Sequence, residues 1–230
     1  MKYLLSFTLV IFLCTISYGD TFANDYANRA EGKVEHVVNT AKPAKTHFRG
    51  AYWGTSMQEV KATLTDKDEI TENDDEILII KNSDTNDYII AYWFVDDKLT
   101  HGVYMYDEDH YNKNLYLDEY EKMQSILIEK YGAPELNEWI WSDDLYKDDV
   151  QDYGMAVSLG HLTGITDWKI GGMFYNTEPE SNEDSVPIIT NIRLGIMGDN
   201  FKIGIAICYY STEYYHLFEE NEKKKNERNF

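Results

Sequence analysis

The longest regular pattern of apolar positions lies at residues 114–131. Tyr116, Tyr120, Met123, Leu127 and Tyr131 recur at steps of four, three, four and four, with charged residues between them. That spacing lays one apolar stripe along an α-helix. Gly132 then supplies a residue able to take the left-handed conformation that ends a helix, and Pro134 prevents resumption. Ser56-Met57-Gln58-Glu59 announces a shorter helix: the serine hydroxyl and the Glu59 carboxylate can each accept a free N–H of the first turn, and Met57, Val60, Ala62 and Leu64 give it an apolar side.

Elsewhere the period is two. Residues 77–80, 88–95 and 99–106 read as strands, and 88–95 is apolar on both alternating faces, as a central strand is. Asp96-Asp97-Lys98 joins the last two into a hairpin. Alternation places Leu99, His101, Val103 and Met105 on one face. Residues 139–141, 155–159, 168–175, 188–197 and 202–210 are further strand runs, and Gly198-Asp199-Asn200 is a hairpin turn between the last two. Residues 48–54 read as a short strand ending at a glycine, 66–76 as an acidic loop, 176–185 as a polar loop, and 213–230 as a terminal helix that frays. The order is helix, strands, helix, strands, without the strict alternation of a doubly wound parallel sheet. It predicts an α+β fold: an antiparallel sheet with a short N-terminal helix and one long central helix. The same order is compatible with two related halves, 48–109 and 110–212.

The first nineteen residues have another character. Met1-Lys2 is a positive start, residues 3–16 are almost wholly apolar, and Ser17-Tyr18-Gly19 puts small residues three and one positions before Asp20. This is the layout of a secretory signal peptide. The run is shorter than the roughly 20 residues of a spanning helix, so cleavage is expected and no later segment spans a membrane. Residues 20–47 lack a period and read as a linker. Cleavage leaves one cysteine, Cys208, in an apolar run where an unpaired thiol behaves as a small buried hydrophobe.

Composition narrows the partners. The chain has 230 residues, 43% of them apolar, enough to fold as one body without a metal or disulfide. Its formal net charge is −20. Nucleic acid and anionic lipid are poor partners for such a chain, because both are bound through Lys and Arg.

Phe48-Arg49-Gly50, Trp53-Gly54, Ser56 and Glu59-Val60 form the pattern FRGxxWGxSxxEV. It resembles a segment that opens the folded region of exported bacterial proteins of unassigned activity. The resemblance continues through Tyr92-Trp93-Phe94-Val95-Asp96-Asp97-Lys98-Leu99 and through residues 127–134. At the level of fold, a helix opened by Gly-x-Ser and followed by a Trp-bearing antiparallel sheet is similar to the small lipoprotein of the outer-membrane assembly machinery and to the β-lactamase-inhibitor-like fold. Both bind other proteins, so the resemblance implies a protein partner and no reaction. The lipoprotein's modified-cysteine motif is missing here.

No phosphate-binding glycine loop, nucleophile elbow, zinc-protease helix or paired-cysteine motif occurs. Asp143, Asp144, Asp148, Asp149 and Asp152 crowd into ten positions and are candidate ligands for a hard cation such as calcium, although no glycine takes the sixth place of an EF-hand loop. Asn82-Asp84-Asn86 begins like such a loop, with Asp87 in the glycine place. The carboxylates of Asp107-Glu108-Asp109 suit the positive start of the long helix. Trp139 and Trp141 share one side of a strand, as core residues or as a platform for a sugar or protein. Arg49 beside Trp53 reads as a buried arginine paired with a carboxylate, or as an anchor for a partner. The expectation is an exported, non-enzymatic protein that binds another envelope or secreted protein. Two alternatives stay open: an exported hydrolase whose Asp and Glu residues meet on folding, and a calcium-dependent module on the 143–152 loop.

Overall fold

The computed structural model describes residues 47–65, 69–73, 76–81, 88–170 and 190–228. The leader, the 20–46 part of the linker, the 176–185 loop and the Asn82-Asp84-Asn86 segment lie outside the described residues. Eight strands form one antiparallel sheet: β1 (Glu69–Asn73), β2 (Glu76–Lys81), β3 (Tyr88–Val95), β4 (Lys98–Tyr106), β5 (Leu136–Trp141), β6 (Leu162–Ile170), β7 (Thr190–Asp199) and β8 (Lys202–Ser211). The helices are α1 (Met57–Lys61), α2 (Asn114–Tyr131), α3 (Tyr153–Ser158) and α4 (Tyr215–Arg228). The fold is therefore α+β, and among the described residues no helix is long and apolar enough to cross a membrane.

The strand order β1-β2-β3-β4-β8-β7-β6-β5 reads as a mirror. A helix and a four-strand meander occur twice, and the last strand of each meander pairs with the other at the centre, Val103 opposite Cys208. The capping box at α1 is complete, with Ser56 and Glu59 bonded reciprocally. On α2, Tyr116, Tyr120, Met123 and Leu127 are buried against the sheet, each contributing about 1.5–3 kcal/mol by its removal from water. The Trp168 indole Nε1–H donates to the Gly132 carbonyl (2.9 Å), tying the end of α2 to β6. Gly132, at φ 86, has the positive φ expected of a helix-ending glycine.

Both faces of the sheet are used. Ile90, Tyr92 and Phe94 of β3 join the larger core under α2 and α3, while Ile89, Ala91, Trp93 and Val95 join a second core capped by Phe218 of α4. That is why β3 has no polar face. β4 departs from simple alternation. Trp93 opposes His101 but Phe94 opposes Leu99, so Thr100 is an extra residue. This bulge puts Leu99 in the larger core and leaves His101, Val103 and Met105 on the other face.

Several expected elements take other forms. Residues 48–54 make a tight turn with an isolated Phe48–Ala51 bridge instead of a strand. Part of the expected acidic loop is β1, an edge strand exposed at every position. Residues 155–159 belong to α3 and its end rather than to a strand. Asn114 explains α3: its Oδ1 accepts the Gly154 N–H (2.8 Å) and its Nδ2 donates to the Gln151 carbonyl (2.7 Å), clamping the new helix start to α2. Cys208 is fully buried in the second core, the place its apolar run predicts; Cys14 lies outside the described residues.

Candidate functional site

Arg49 and Gly50 are the central residues of the Phe48–Ala51 turn, at φ 44 and φ 91. Glycine takes that conformation freely, whereas a side chain costs roughly 1 kcal/mol there. The Arg49 guanidinium lies 6.0 Å from the centre of the Tyr104 ring. Arg49 is exposed rather than the buried arginine expected; desolvation alone would lower its pKa, but the neighbouring Tyr104 and Tyr92 phenols raise it instead. Phenols thus take the place of the expected carboxylate. Trp53 is core: its Nε1–H donates to Thr190 Oγ1 (3.0 Å), its own N–H donates to His47 Nδ1 (2.8 Å), and its ring stacks on His47. Arg49 and Trp53 fasten the N-terminal turn to the sheet.

Three of the five aspartates of the 143–152 loop are used locally. Asp143 Oδ1 accepts the Leu145 N–H (2.8 Å), Asp144 pairs with Lys147 (2.9 Å), and Asp149 accepts the Gln151 N–H (2.9 Å). The Asp149 bond caps the single 3-10 turn Val150–Asp152. Asp148 and Asp152 are exposed. Among the described residues no three His, Cys, Asp or Glu side chains gather into a group that could hold a metal ion. The physical reason is that these carboxylates are spent on nearby backbone, on Lys147 or on solvent, whereas calcium needs six or more oxygens converging on one point.

This loop shares one end of the sheet with the β7–β8 turn. Ser142 donates from its N–H to the His161 carbonyl and from its hydroxyl to the Gly160 carbonyl, both at 2.8 Å. Trp141 packs edge-on against Tyr153 at 5.1 Å. The Phe201 N–H donates to the Ser158 carbonyl (2.9 Å), and a Cβ on Gly198 would lie 2.2 Å from the Val157 carbonyl oxygen, so the turn is pressed onto the end of α3. Asn200 and Phe201 sit at φ 50 and φ 65. A two-residue turn with positive φ at both positions favours Asn then Gly. Here a phenylalanine takes the glycine place, and it is 60% exposed.

The matching turn between β3 and β4 puts Asp96 and Asp97 at φ 51 and φ 58. Aspartate tolerates this region better than phenylalanine does, and Asp97 Oδ1 accepts the Met57 N–H at the start of α1 (2.9 Å). Phe201 has neither excuse: its ring carries a backbone cost and gains little burial. Leu145, Val150 and Met155 on the adjoining segments are also exposed. The same segments carry Asp143, Asp144, Asp148, Asp149, Asp152 and Asp199, with Lys147 and Lys202 as the nearby cations in sequence. The end of the second half is therefore apolar at its points and acidic between them.

On the sheet face beneath α4, a row of polar and aromatic residues crosses six strands: Glu76, Trp93, His101, Tyr210, Asn191 and Lys169 stand opposite one another in register. Trp93 Nε1–H donates to the buried Glu76 carboxylate. The Thr100 hydroxyl donates to the Trp93 carbonyl (3.1 Å), so its oxygen is left to accept from His101 Nδ1–H (3.0 Å). His101 Nε2 is then a bare acceptor, buried and without a partner. Burial pushes the imidazole pKa down to about 3, so it is neutral and cannot serve as a base toward solvent. In the next row Arg193 grips Asp167 through Nε and one terminal nitrogen (2.8 and 2.7 Å).

Trp139 and Trp141 do share a side of β5, facing the helices. Trp139 lies 5.3 Å from Tyr120 and stays 40% exposed, while Trp141 is half-buried. Sequence reasoning placed the Asp199-Asn200 turn but missed Phe201; the signal was an aromatic residue directly after Asn in a hairpin turn. Family models, curated proteins and solved structures return no match to this chain.

Proposed function

We propose that this chain is an exported protein that catalyses nothing and binds another protein of the cell envelope or of the secreted fraction, through the end of the sheet that displays Phe201. The observation that carries the reading is Phe201 itself: a bulky ring held at φ 65 and 60% exposed. Backbone cost without burial is a pattern of sites that act on something outside the fold, and exposed aromatics are frequent anchors of protein interfaces. The leader supports export. Against catalysis stands the employment of the buried titratable groups: Glu76 is held by Trp93, and His101 is neutral and walled in. At the end of β4, the Tyr106 hydroxyl donates to Glu108 (3.1 Å) and lies 2.9 Å from His110 Nε2. Burial and the Glu108 contact raise its pKa, so the phenol keeps its proton and makes a poor nucleophile.

The test places a photo-crosslinking phenylalanine analogue at position 201, with the same analogue at the exposed Glu220 as control. The expected result is one protein joined at 201 in the native envelope or medium and none at 220. Equal labelling at both positions, or none at 201, refutes the reading. Export has its own check: protein recovered outside the cytoplasm should begin at Asp20, and an intact leader would overturn that part alone.

A further inference from the structure

The outer edge of β5 is a second feature of this end of the molecule. β5 is the last strand of the sheet and pairs with β6 on one side. The Ser142 N–H donates to the His161 carbonyl at the end of that ladder. Antiparallel ladders alternate residues whose N–H and C=O face the neighbour with residues whose groups face away. Counting back from Ser142, Ile140, Glu138 and Leu136 face β6. The N–H and C=O groups of Asn137, Trp139 and Trp141 face outward, and among the described residues nothing pairs with them.

Natural edge strands are blunted by Lys, Pro, bulges or a covering segment. β1, at the opposite edge, fits this rule: it carries Glu69 and Glu72 and a register shift between Glu69 and Ile70. β5 has the sequence Leu-Asn-Glu-Trp-Ile-Trp, with an unbroken register and no Pro or Lys. Its charge is Glu138, and it runs directly into Asp143 and Asp144. The partly exposed Trp139 ring flanks the open edge on the helix side.

We propose that β5 accepts a ninth strand, an extended segment of another protein that carries Lys or Arg at alternating positions. Main-chain hydrogen bonds to Asn137, Trp139 and Trp141 give the docking its register. The apolar side chains of the guest lie beside Trp139, and its basic side chains meet Glu138 and the aspartates past the strand end. A second copy of this chain is the disfavoured guest. It brings another −20 of charge, and antiparallel self-pairing of β5 about Trp139 sets the two Glu138 side chains near each other and Asp143 of each copy opposite Glu135 of the other. The proposal rests on the protein-binding reading but not on Phe201.

The probe is an acetylated, amidated hexapeptide alternating Lys and Val, with the Glu–Val hexapeptide as control, followed by amide hydrogen exchange. The expected result is at least about tenfold slower exchange at the Asn137, Trp139 and Trp141 amides with the Lys–Val peptide, an effect lost in high salt and not produced by the Glu–Val peptide. Trp139→Ala, which keeps the outward N–H, should retain that binding, and Trp139→Pro, which removes it at an edge position that tolerates proline, should lose it. Protection confined to the acidic loop, equal effects of the two peptides, equal binding by the two variants, or concentration-dependent dimerisation through β5 each overturns the proposal. If Trp139→Pro does not fold, the wild-type exchange pattern decides alone. Crosslinking at 201 without edge protection sinks this proposal and spares the Phe201 reading; edge protection without crosslinking does the reverse.

Discussion

Acidification from pH 7.5 to 4.5 is expected to weaken the fold through His101. The imidazole is fully buried, and its folded pKa is about 3, against about 6.5 in an unfolded chain. The unfolded state therefore binds a proton that the native state refuses. The His101 contribution is flat above pH 7 and falls as pH drops through 6.5, by about 1.4 kcal/mol per unit, until the folded pKa is reached. The full loss by pH 3 is about 5 kcal/mol, and the part reached by pH 4.5 is about 3 kcal/mol. The groups around the ring offer no rescue. Phe218 and Tyr215 of α4, Tyr210 of β8 and Trp93 of β3 enclose it at 4.2, 5.7, 5.7 and 6.2 Å. Glu76, the carboxylate in that row, is bonded to the Trp93 indole. Because lifting α4 would wet the imidazole, that helix is the first element to loosen. The assay is a set of urea melts at several pH values, comparing wild type with His101→Phe, which fills an aromatic cage with an aromatic ring. Other carboxylates titrate in both proteins and cancel in the difference. The variant should lose stability less steeply between pH 6.5 and 4.5, the two curves diverging by about 3 kcal/mol. Parallel curves would refute the reasoning.

Three further outcomes follow from the packing. Gly102→Ala would set a Cβ 2.1 Å from the Phe48 ring, so the N-terminal turn must shift; a loss of about 1–3 kcal/mol in a chemical melt is expected. Asp167→Ala leaves the largely buried Arg193 guanidinium without its bidentate partner, at a cost of about 3 kcal/mol or more, and Arg193→Met/Asp167→Leu together should recover much of it in a double-mutant cycle. Millimolar calcium should leave the melting temperature unchanged, since the 143–152 carboxylates do not converge; a rise of several degrees would restore the calcium-dependent alternative.

What the sequence made legible was what repeats. α2 has a stripe, a glycine stop and a proline beyond it, and the structure buries that stripe. The hairpins around Asp96-Asp97 and Asp199-Asn200 were legible because turn chemistry is local. The bulge at Thr100 was not: one extra residue moves Leu99 to the other face, and no pattern in a single strand marks where a partner strand skips. α3 was misread because Tyr153–Ser158 is a short run with an apolar centre, and such runs suit a strand as well as one and a half helical turns. What decides is Asn114, about forty residues away in sequence, bonding at the helix start. β1 hid among acidic residues because an edge strand exposed on both faces needs no apolar alternation. Of the expected site residues, Trp53 became core and the five aspartates stayed separate. Trp139 packs closely on Gly164, where a Cβ would come within 2.8 Å of the indole, and keeps its exposure because β5 is the edge strand.

The mirrored strand order sets a timetable for assembly. The seam joining the halves is β4 against β8, residues about a hundred positions apart in sequence. A chain delivered from its N-terminus can complete the β1–β4 meander early, yet that meander then waits with its inner border open, Val103 and Met105 beside it, until the final strand arrives. Long waits of this kind slow folding and expose sticky edges. Truncation before residue 202 should thus give a product that clumps rather than half a working protein, and whatever escorts the nascent polypeptide has that unfinished border to shield.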